Sequence, residues 1–114
     1  MFRWIKRIWS WAFGPRAQKK QQLFSTVLVE DNLPAGLEPY TLYVVSDDGF
    51  LEQAAMVCPC GCNRVLQMNL LTDERPCWTL TQHDDGTASL YPSVWRKKDC
   101  GSHFWFRHGT VQWC

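Results

Sequence analysis

Three cysteines lie within five residues, from Cys58 to Cys62, separated only by a proline and a glycine. Proline and glycine disfavour the interior of helices and strands, so this segment predicts a tight turn whose thiols face one point. Far downstream, the stretch from Cys100 to His103 offers a second Cys/His pair. Thiolate and imidazole are the donors of structural zinc sites, which need four of them. The sequence therefore predicts a zinc site that takes four of the following five groups: Cys58, Cys60, Cys62, Cys100 and His103.

The number of cysteines bears on the cellular compartment. Six cysteines could form three disulfides in a secreted protein. However, neighbours as close as those between Cys58 and Cys62 cannot readily bridge one another. Reduced thiols that hold a metal are typical of the cytoplasm. We therefore expect a cytoplasmic metal-binding protein, in which Cys77 and Cys114, lacking metal spacing, are packing residues or free thiols.

Length and charge predict one folded domain with a basic N-terminal segment. The 114 residues suffice for a single hydrophobic core. Residues 1–22 carry six of the twelve Lys and Arg and no acid, whereas residues 23–114 carry six basic and eleven acidic residues. The predicted domain over residues 23–114 is thus mildly acidic, which argues against specific nucleic-acid binding.

The segment from Met1 to Phe13 has the pattern of an amphipathic helix. Its basic residues share one face with Ser10, tryptophan and other apolar residues fill the remainder, and Gly14-Pro15 ends the pattern. The helix is too short to span a bilayer. Two interpretations remain open: it lies on an anionic membrane surface, peripheral to the inner membrane, or it packs on the domain or on a partner protein. A polar linker to residue 22 follows.

After residue 22 the pattern changes to short strands and turns. Alternation of apolar and polar residues is clearest from Arg64 to Leu71. Turns that end in glycine predict three hairpins, centred on residues 46–49, 83–86 and 107–109. We therefore predict an all-β domain, a small zinc-stabilised sheet or open barrel of about eight short strands in hairpins.

The surplus fifth donor raises the question of catalysis. A cysteine beside a metal or a histidine can be a nucleophile, which makes Cys62 a candidate. Ser93 and Ser102 are further candidates, although a hydroxyl beside a zinc thiolate more often donates a hydrogen bond to it. Metalloprotease signatures such as H-E-x-x-H are absent from the sequence. The sequence leaves open whether the protein is an enzyme and favours a closed structural metal site.

Four motifs occur together in a fixed order: Cys58-Pro59-Cys60-Gly61-Cys62, Trp78 to Leu80, Leu90-Tyr91-Pro92-Ser93-Val94, and Cys100-Gly101-Ser102-His103-Phe104-Trp105-Phe106. In this order they resemble the bacterial family DUF6527 over roughly residues 24–113. The resemblance implies a small zinc-binding β domain whose metal cluster matches the five groups named above. It also implies a link to bacterial ubiquitin-like conjugation systems, because some relatives occur alongside their components. Ser93 and Ser102 match serines of these motifs that have no assigned role.

Three hypotheses on function follow. The first is a zinc-stabilised β domain that binds another protein, as a component of a ubiquitin-like conjugation or defence system. The second is a small metal- or cysteine-dependent hydrolase, such as a peptidase acting on a ubiquitin-like tail. The third is a membrane-surface adaptor anchored by the segment from Met1 to Phe13.

Overall fold

The computed structural model describes residues 22–114 and contains eight β-strands. The predicted helix from Met1 to Phe13 lies outside these residues. Within the described range, no helix is long and apolar enough to cross a membrane. The strands are β1 (Ser25–Glu30), β2 (Thr41–Asp47), β3 (Phe50–Val57), β4 (Val65–Asn69), β5 (Thr79–Gln82), β6 (Ala88–Trp95), β7 (His103–Arg107) and β8 (Thr110–Trp113).

The strands form two four-stranded sheets, one from β1 to β4 and the other from β5 to β8, each in chain order. All neighbours pair antiparallel except β1 and β2, which pair in parallel. A parallel pair needs a crossover connection, which residues 31–40 provide. Phe24, just before β1, donates its backbone N–H to the Gly109 carbonyl at 2.7 Å and so ties β1 to the second sheet.

The two sheets share one hydrophobic core, as in a β-sandwich. Side chains alternate between this core and the outer face, most clearly in β7, where Phe104 and Phe106 are buried and their neighbours are not. Phe24 closes one end of the core through an edge contact with the Phe106 ring, at 5.3 Å between centroids. The core residues of the two sheets are Leu42, Val44, Ala54, Met56, Leu66 and Met68 facing Ala88, Leu90, Val94, Phe104, Phe106 and Val111.

The structure confirms the predicted all-β class and the number of strands. Two details differ from the sequence prediction. The three predicted hairpins are present as β2–β3, β5–β6 and β7–β8, but the parallel pairing of β1 with β2 was not predicted, because hydrophobic alternation does not specify strand direction. Strand β6 also continues through Pro92 to Trp95, an extension that the sequence pattern did not predict.

Strand β6 contains a bulge that matters for the site described below. Leu90 pairs with Phe106 and Val94 pairs with Phe104. An advance of four residues along β6 therefore lies opposite an advance of only two residues along β7. The extra residues include Pro92, which cannot donate a ladder hydrogen bond and is tolerated at such an irregularity. Bulges change the direction of the side chains that they carry. Ser93 lies within this bulge.

Replacing Phe104 by alanine should cost about 3–5 kcal/mol of unfolding free energy, because the ring is fully buried and leaves a cavity. Urea unfolding of the full chain measures this loss. Phe50→Ala is the matched control, since Phe50 is 72% exposed in the β2–β3 hairpin and its loss should change stability by no more than about 0.5 kcal/mol. Equal losses in both variants would contradict the placement of the core.

Candidate metal centre and Ser–His pair

Four cysteines converge beyond the end of β3. The sulfur atoms of Cys58, Cys60, Cys62 and Cys100 all lie within 4.8 Å of one another. Cys58 Sγ is 3.5 Å from Cys60 Sγ and 3.7 Å from Cys100 Sγ. These distances are far longer than a disulfide bond of about 2.05 Å. The cysteines are therefore free thiols gathered at one point.

Two tight turns bring these thiols together. In the first, the Gly61 N–H approaches the Cys58 carbonyl at 3.3 Å, and the backbone reverses through Gly61 and Asn63 at φ of 96° and 65°. Asparagine tolerates this left-handed conformation better than most residues. The second turn, through Asp99 and Gly101, presents Cys100 in the same way.

An acidic side chain links the two turns. Asp99 accepts a hydrogen bond from the Arg96 guanidinium at 2.7 Å and lies 3.7 Å from that of Arg64, which follows the first turn. The hydrogen bond from Arg96 holds the pKa of Asp99 below its usual range, so the carboxylate stays charged. This exposed pair of contacts helps to keep the turns adjacent.

The Ser102 hydroxyl belongs to the thiol cluster. It is buried, with its Oγ 3.3 Å from Cys58 Sγ and 3.2 Å from Cys100 Sγ. Its hydrogen bonds lower the pKa of Cys100 to about 6 and also lower the pKa of Cys60. Burial instead raises the pKa of Cys58 to about 12. The result is a mixed set of thiol and thiolate groups whose negative charge a cation would neutralise.

The donor set fits a tetrahedral metal ion. With metal–sulfur bonds of about 2.3 Å, neighbouring sulfurs of a tetrathiolate site lie about 3.8 Å apart. The shorter sulfur–sulfur distances here, 3.5 and 3.7 Å, are close to that value. Four cysteines can therefore hold a metal ion without any further ligand. His103 is not among the residues of this group.

His103 instead forms a pair with a serine. Its Nε2 atom lies 3.0 Å from Ser93 Oγ, across the β6–β7 boundary and on the outer face of the second sheet. This is the distance that a base needs to accept a proton from a hydroxyl nucleophile. The bulge in β6 brings the Ser93 side chain to this position. Both side chains are partly accessible to solvent.

Two tryptophans fix the pair. The Trp95 ring stacks on the His103 imidazole at 4.7 Å between centroids and an interplanar angle of 12°. The Trp78 indole N–H donates to the Ser93 carbonyl oxygen at 3.2 Å, and this bond anchors the bulge. The Lys97 ammonium lies 4.8 Å from the Trp95 ring centroid and helps to hold that ring. The imidazole and the hydroxyl are thus positioned by surrounding structure.

The three candidate nucleophiles therefore occupy different environments. The Cys62 sulfur lies in the thiol cluster, and the Ser102 hydroxyl faces two sulfurs. Ser93 alone of the three has an imidazole nitrogen as its side-chain partner within residues 22–114. The thiol cluster and the Ser–His pair are close in sequence, since Cys100 lies three residues before His103 and Ser102 immediately before it.

Sequence reasoning missed a second serine–histidine contact. Ser89 Oγ lies 2.8 Å from His83 Nε2 and accepts a hydrogen bond from the His108 backbone N–H at 2.8 Å. The rings of His83 and His108 stack at 3.9 Å between centroids. The glycine-ended turns that contain both histidines were recognised from the sequence. Their meeting depends on the pairing of three strands and has no local sequence signal.

Most of the chain matches one known protein family. A family model described as the bacterial ubiquitination-like system serine protease (BubE) matches residues 29–114. The match agrees with the predicted link to a bacterial ubiquitin-like system, although the matching family is not named DUF6527. No curated protein and no solved structure matches the chain significantly.

Proposed function

This chain belongs to the BubE family of bacterial ubiquitination-like system serine proteases, and we propose that it is a protease with Ser93 as nucleophile and His103 as general base. The distance of 3.0 Å between Ser93 Oγ and His103 Nε2 carries this proposal. Its substrate class is a ubiquitin-like protein, either as a precursor or joined to another protein. Of the three hypotheses drawn from the sequence, this proposal favours the second, a peptidase. Its nucleophile is a serine and not a cysteine or a metal-activated water.

The environments of the other hydroxyls favour Ser93. Ser102 is buried against two sulfurs, where its hydrogen bonds stabilise thiolates. The Ser89 hydroxyl oxygen accepts a hydrogen bond from the His108 backbone N–H in the β7–β8 turn, so one of its lone pairs is already engaged. Ser93 lies in a bulge on the outer face of the sheet, where a peptide carbonyl can approach it.

The geometry supports acyl transfer in two steps. His103 Nε2 takes the hydroxyl proton while Ser93 Oγ bonds to the substrate carbonyl carbon, and the same imidazolium then protonates the departing amine as the peptide C–N bond breaks. The resulting Ser93 ester is hydrolysed by water, whose proton His103 accepts and then returns to Ser93 Oγ. The stack of Trp95 on the imidazole keeps Nε2 directed at the hydroxyl throughout.

We further propose that the metal is zinc and that the four cysteines bind it. Zinc prefers soft thiolate donors in a closed tetrahedron, and when bound it supplies folding energy and no chemistry at the substrate. Such a site leaves His103 available as the base. The Ser102 backbone carbonyl accepts a hydrogen bond from the Arg96 backbone N–H at 2.7 Å. Because Ser102 directly precedes β7, the cluster also fixes the start of the strand that carries His103.

An activity-based probe tests the proposed nucleophile. A fluorophosphonate should react with the purified full chain, because an activated serine oxygen displaces fluoride from the phosphorus. Peptide mass spectrometry should locate the adduct on Ser93. The absence of labelling, or an adduct on Ser89 or Ser102 instead, would contradict the proposal.

A further inference from the structure

A groove with a volume of about 270 Å³ lies on the outer face of the second sheet. It is next to the Ser–His pair, because Tyr91 lies two residues before Ser93 on β6 and Trp105 lies two residues after His103 on β7. The proposed acyl transfer does not use it. Its lining includes Thr81, Ser89, Tyr91, Trp105, Arg107 and His108.

Aromatic rings form the walls of this groove nearest to the Ser–His pair. Tyr91 is 67% exposed, and its ring centroid lies 6.0 Å from that of Trp105 at an angle of 33°. Exposed aromatic side chains on an ordered sheet are costly to hydrate and are enriched where proteins bind peptides. The two rings therefore form a surface for an extended chain that continues from the scissile bond.

A positive charge stands at the far end of the groove. The Arg107 guanidinium carbon lies 4.4 Å from the Trp105 ring centroid, and its Nη1 atom donates to Gln112 Oε1 at 3.3 Å. These two contacts orient the guanidinium. Within residues 22–114, no carboxylate lies at ion-pairing distance from Arg107, and the groove lining contains no acidic residue. A planar guanidinium held in this way matches the geometry of a carboxylate.

We propose that this groove is a substrate subsite that binds an extended peptide segment with an acidic side chain, which Arg107 recognises. The inference rests on the proposed protease function and adds a substrate preference to it. Strands rise about 3.4 Å per residue, which places Arg107 roughly 14 Å from His103 along β7. The acidic residue therefore lies about three to four residues from the scissile bond.

Peptide display tests this subsite with random sequences, so that no particular substrate has to be chosen. The full chain carrying Ser93→Ala, which cannot turn over a bound peptide, is used to select from a library of random peptides fused at their C-terminus to a phage coat protein. The fusion removes the terminal carboxylate as a competing source of charge. Parallel selections use the same chain with Arg107→Glu added and, as a matched control, with Arg75→Glu, an exposed arginine in the loop before β5.

We expect the Ser93→Ala chain and its Arg75→Glu control to select peptides with Asp or Glu at one position. The chain that also carries Arg107→Glu should select Lys or Arg at that position. A selected peptide, synthesised as an amide, should bind roughly tenfold more weakly when its acid becomes an amide or when Arg107→Gln is introduced. No selected peptides, no acidic preference, or a preference that survives Arg107→Glu would overturn the inference. Fluorophosphonate labelling of the unaltered chain reports separately on the protease function.

Discussion

Replacing Ser93 by alanine is expected to reduce turnover of an activated ester such as p-nitrophenyl acetate by at least about 10³-fold. The reason is that no other hydroxyl within residues 22–114 both contacts the His103 imidazole and lies on the outer face of the sheet. His103→Gln should cause a loss of similar size, and the double variant should lose no more than either single variant, since the two residues act as one unit. Initial rates of p-nitrophenol release measure all three losses.

Two further variants make this expectation specific. Ser46→Ala is the matched control, because the Ser46 hydroxyl contacts Glu30 on the first sheet, away from the site. It should retain the full rate, and all variants should keep the melting temperature of the parent chain within a few degrees, as expected for changes outside the core. If Ser89→Ala abolished turnover while Ser93→Ala did not, the second serine–histidine contact would be the catalytic one.

The clustering of Cys58, Cys60 and Cys62 was predictable because its signal is local. The proline and glycine between Cys58 and Cys62 specify a turn, and the turn alone brings three sulfurs together. The spacing of Cys100 and His103 looked like a second ligand pair for the same reason. Spacing does not reveal the direction of a side chain, however, and the His103 ring is stacked on Trp95 and directed at Ser93.

The meeting of Ser93 with His103 was not predictable, because it depends on the bulge in β6. A bulge has no reliable sequence signature apart from the misplaced proline at position 92. In a regular β6–β7 ladder, extending the Leu90–Phe106 pair by two residues on each strand would place Pro92, not Val94, opposite Phe104. Ser93 was a candidate nucleophile from the sequence alone, whereas its contact with His103 is visible only in the fold.

The all-β class and the hairpin turns followed from alternation and from glycine, which are local signals. The division into two sheets did not. It depends on the connection between β4 and β5, where the first sheet ends and the second begins, and where the Trp78 backbone N–H donates to the Asn69 carbonyl at 2.8 Å. The same connection carries Trp78, whose indole N–H donates a hydrogen bond to the Ser93 carbonyl oxygen, so it also supports the site.

Removal of the metal is expected to have the second large effect, on stability and activity together. A structural zinc site contributes binding energy to folding, and a loss of about 3 kcal/mol would lower the melting temperature of a domain of this size by roughly 12–24 °C. Chelation of the purified chain, followed by thermal unfolding, measures this shift. Elemental analysis should find one zinc per untreated chain.

Serine substitutions distinguish the cluster from the remaining thiols. Cys58→Ser should abolish metal binding, because its buried sulfur contacts those of Cys60 and Cys100 and a serine hydroxyl is a poor substitute for thiolate. Cys114→Ser is the matched control and should bind the metal fully, since this exposed thiol lies outside the cluster. Because Cys100 and Ser102 lie within three residues of His103, loss of the metal should also release the strand that carries the base. At temperatures below the unfolding transition, we therefore expect fluorophosphonate labelling of Ser93 to decrease as the metal content decreases. Labelling that persists in the metal-free, folded chain would show that the cluster stabilises the domain without positioning the Ser–His pair.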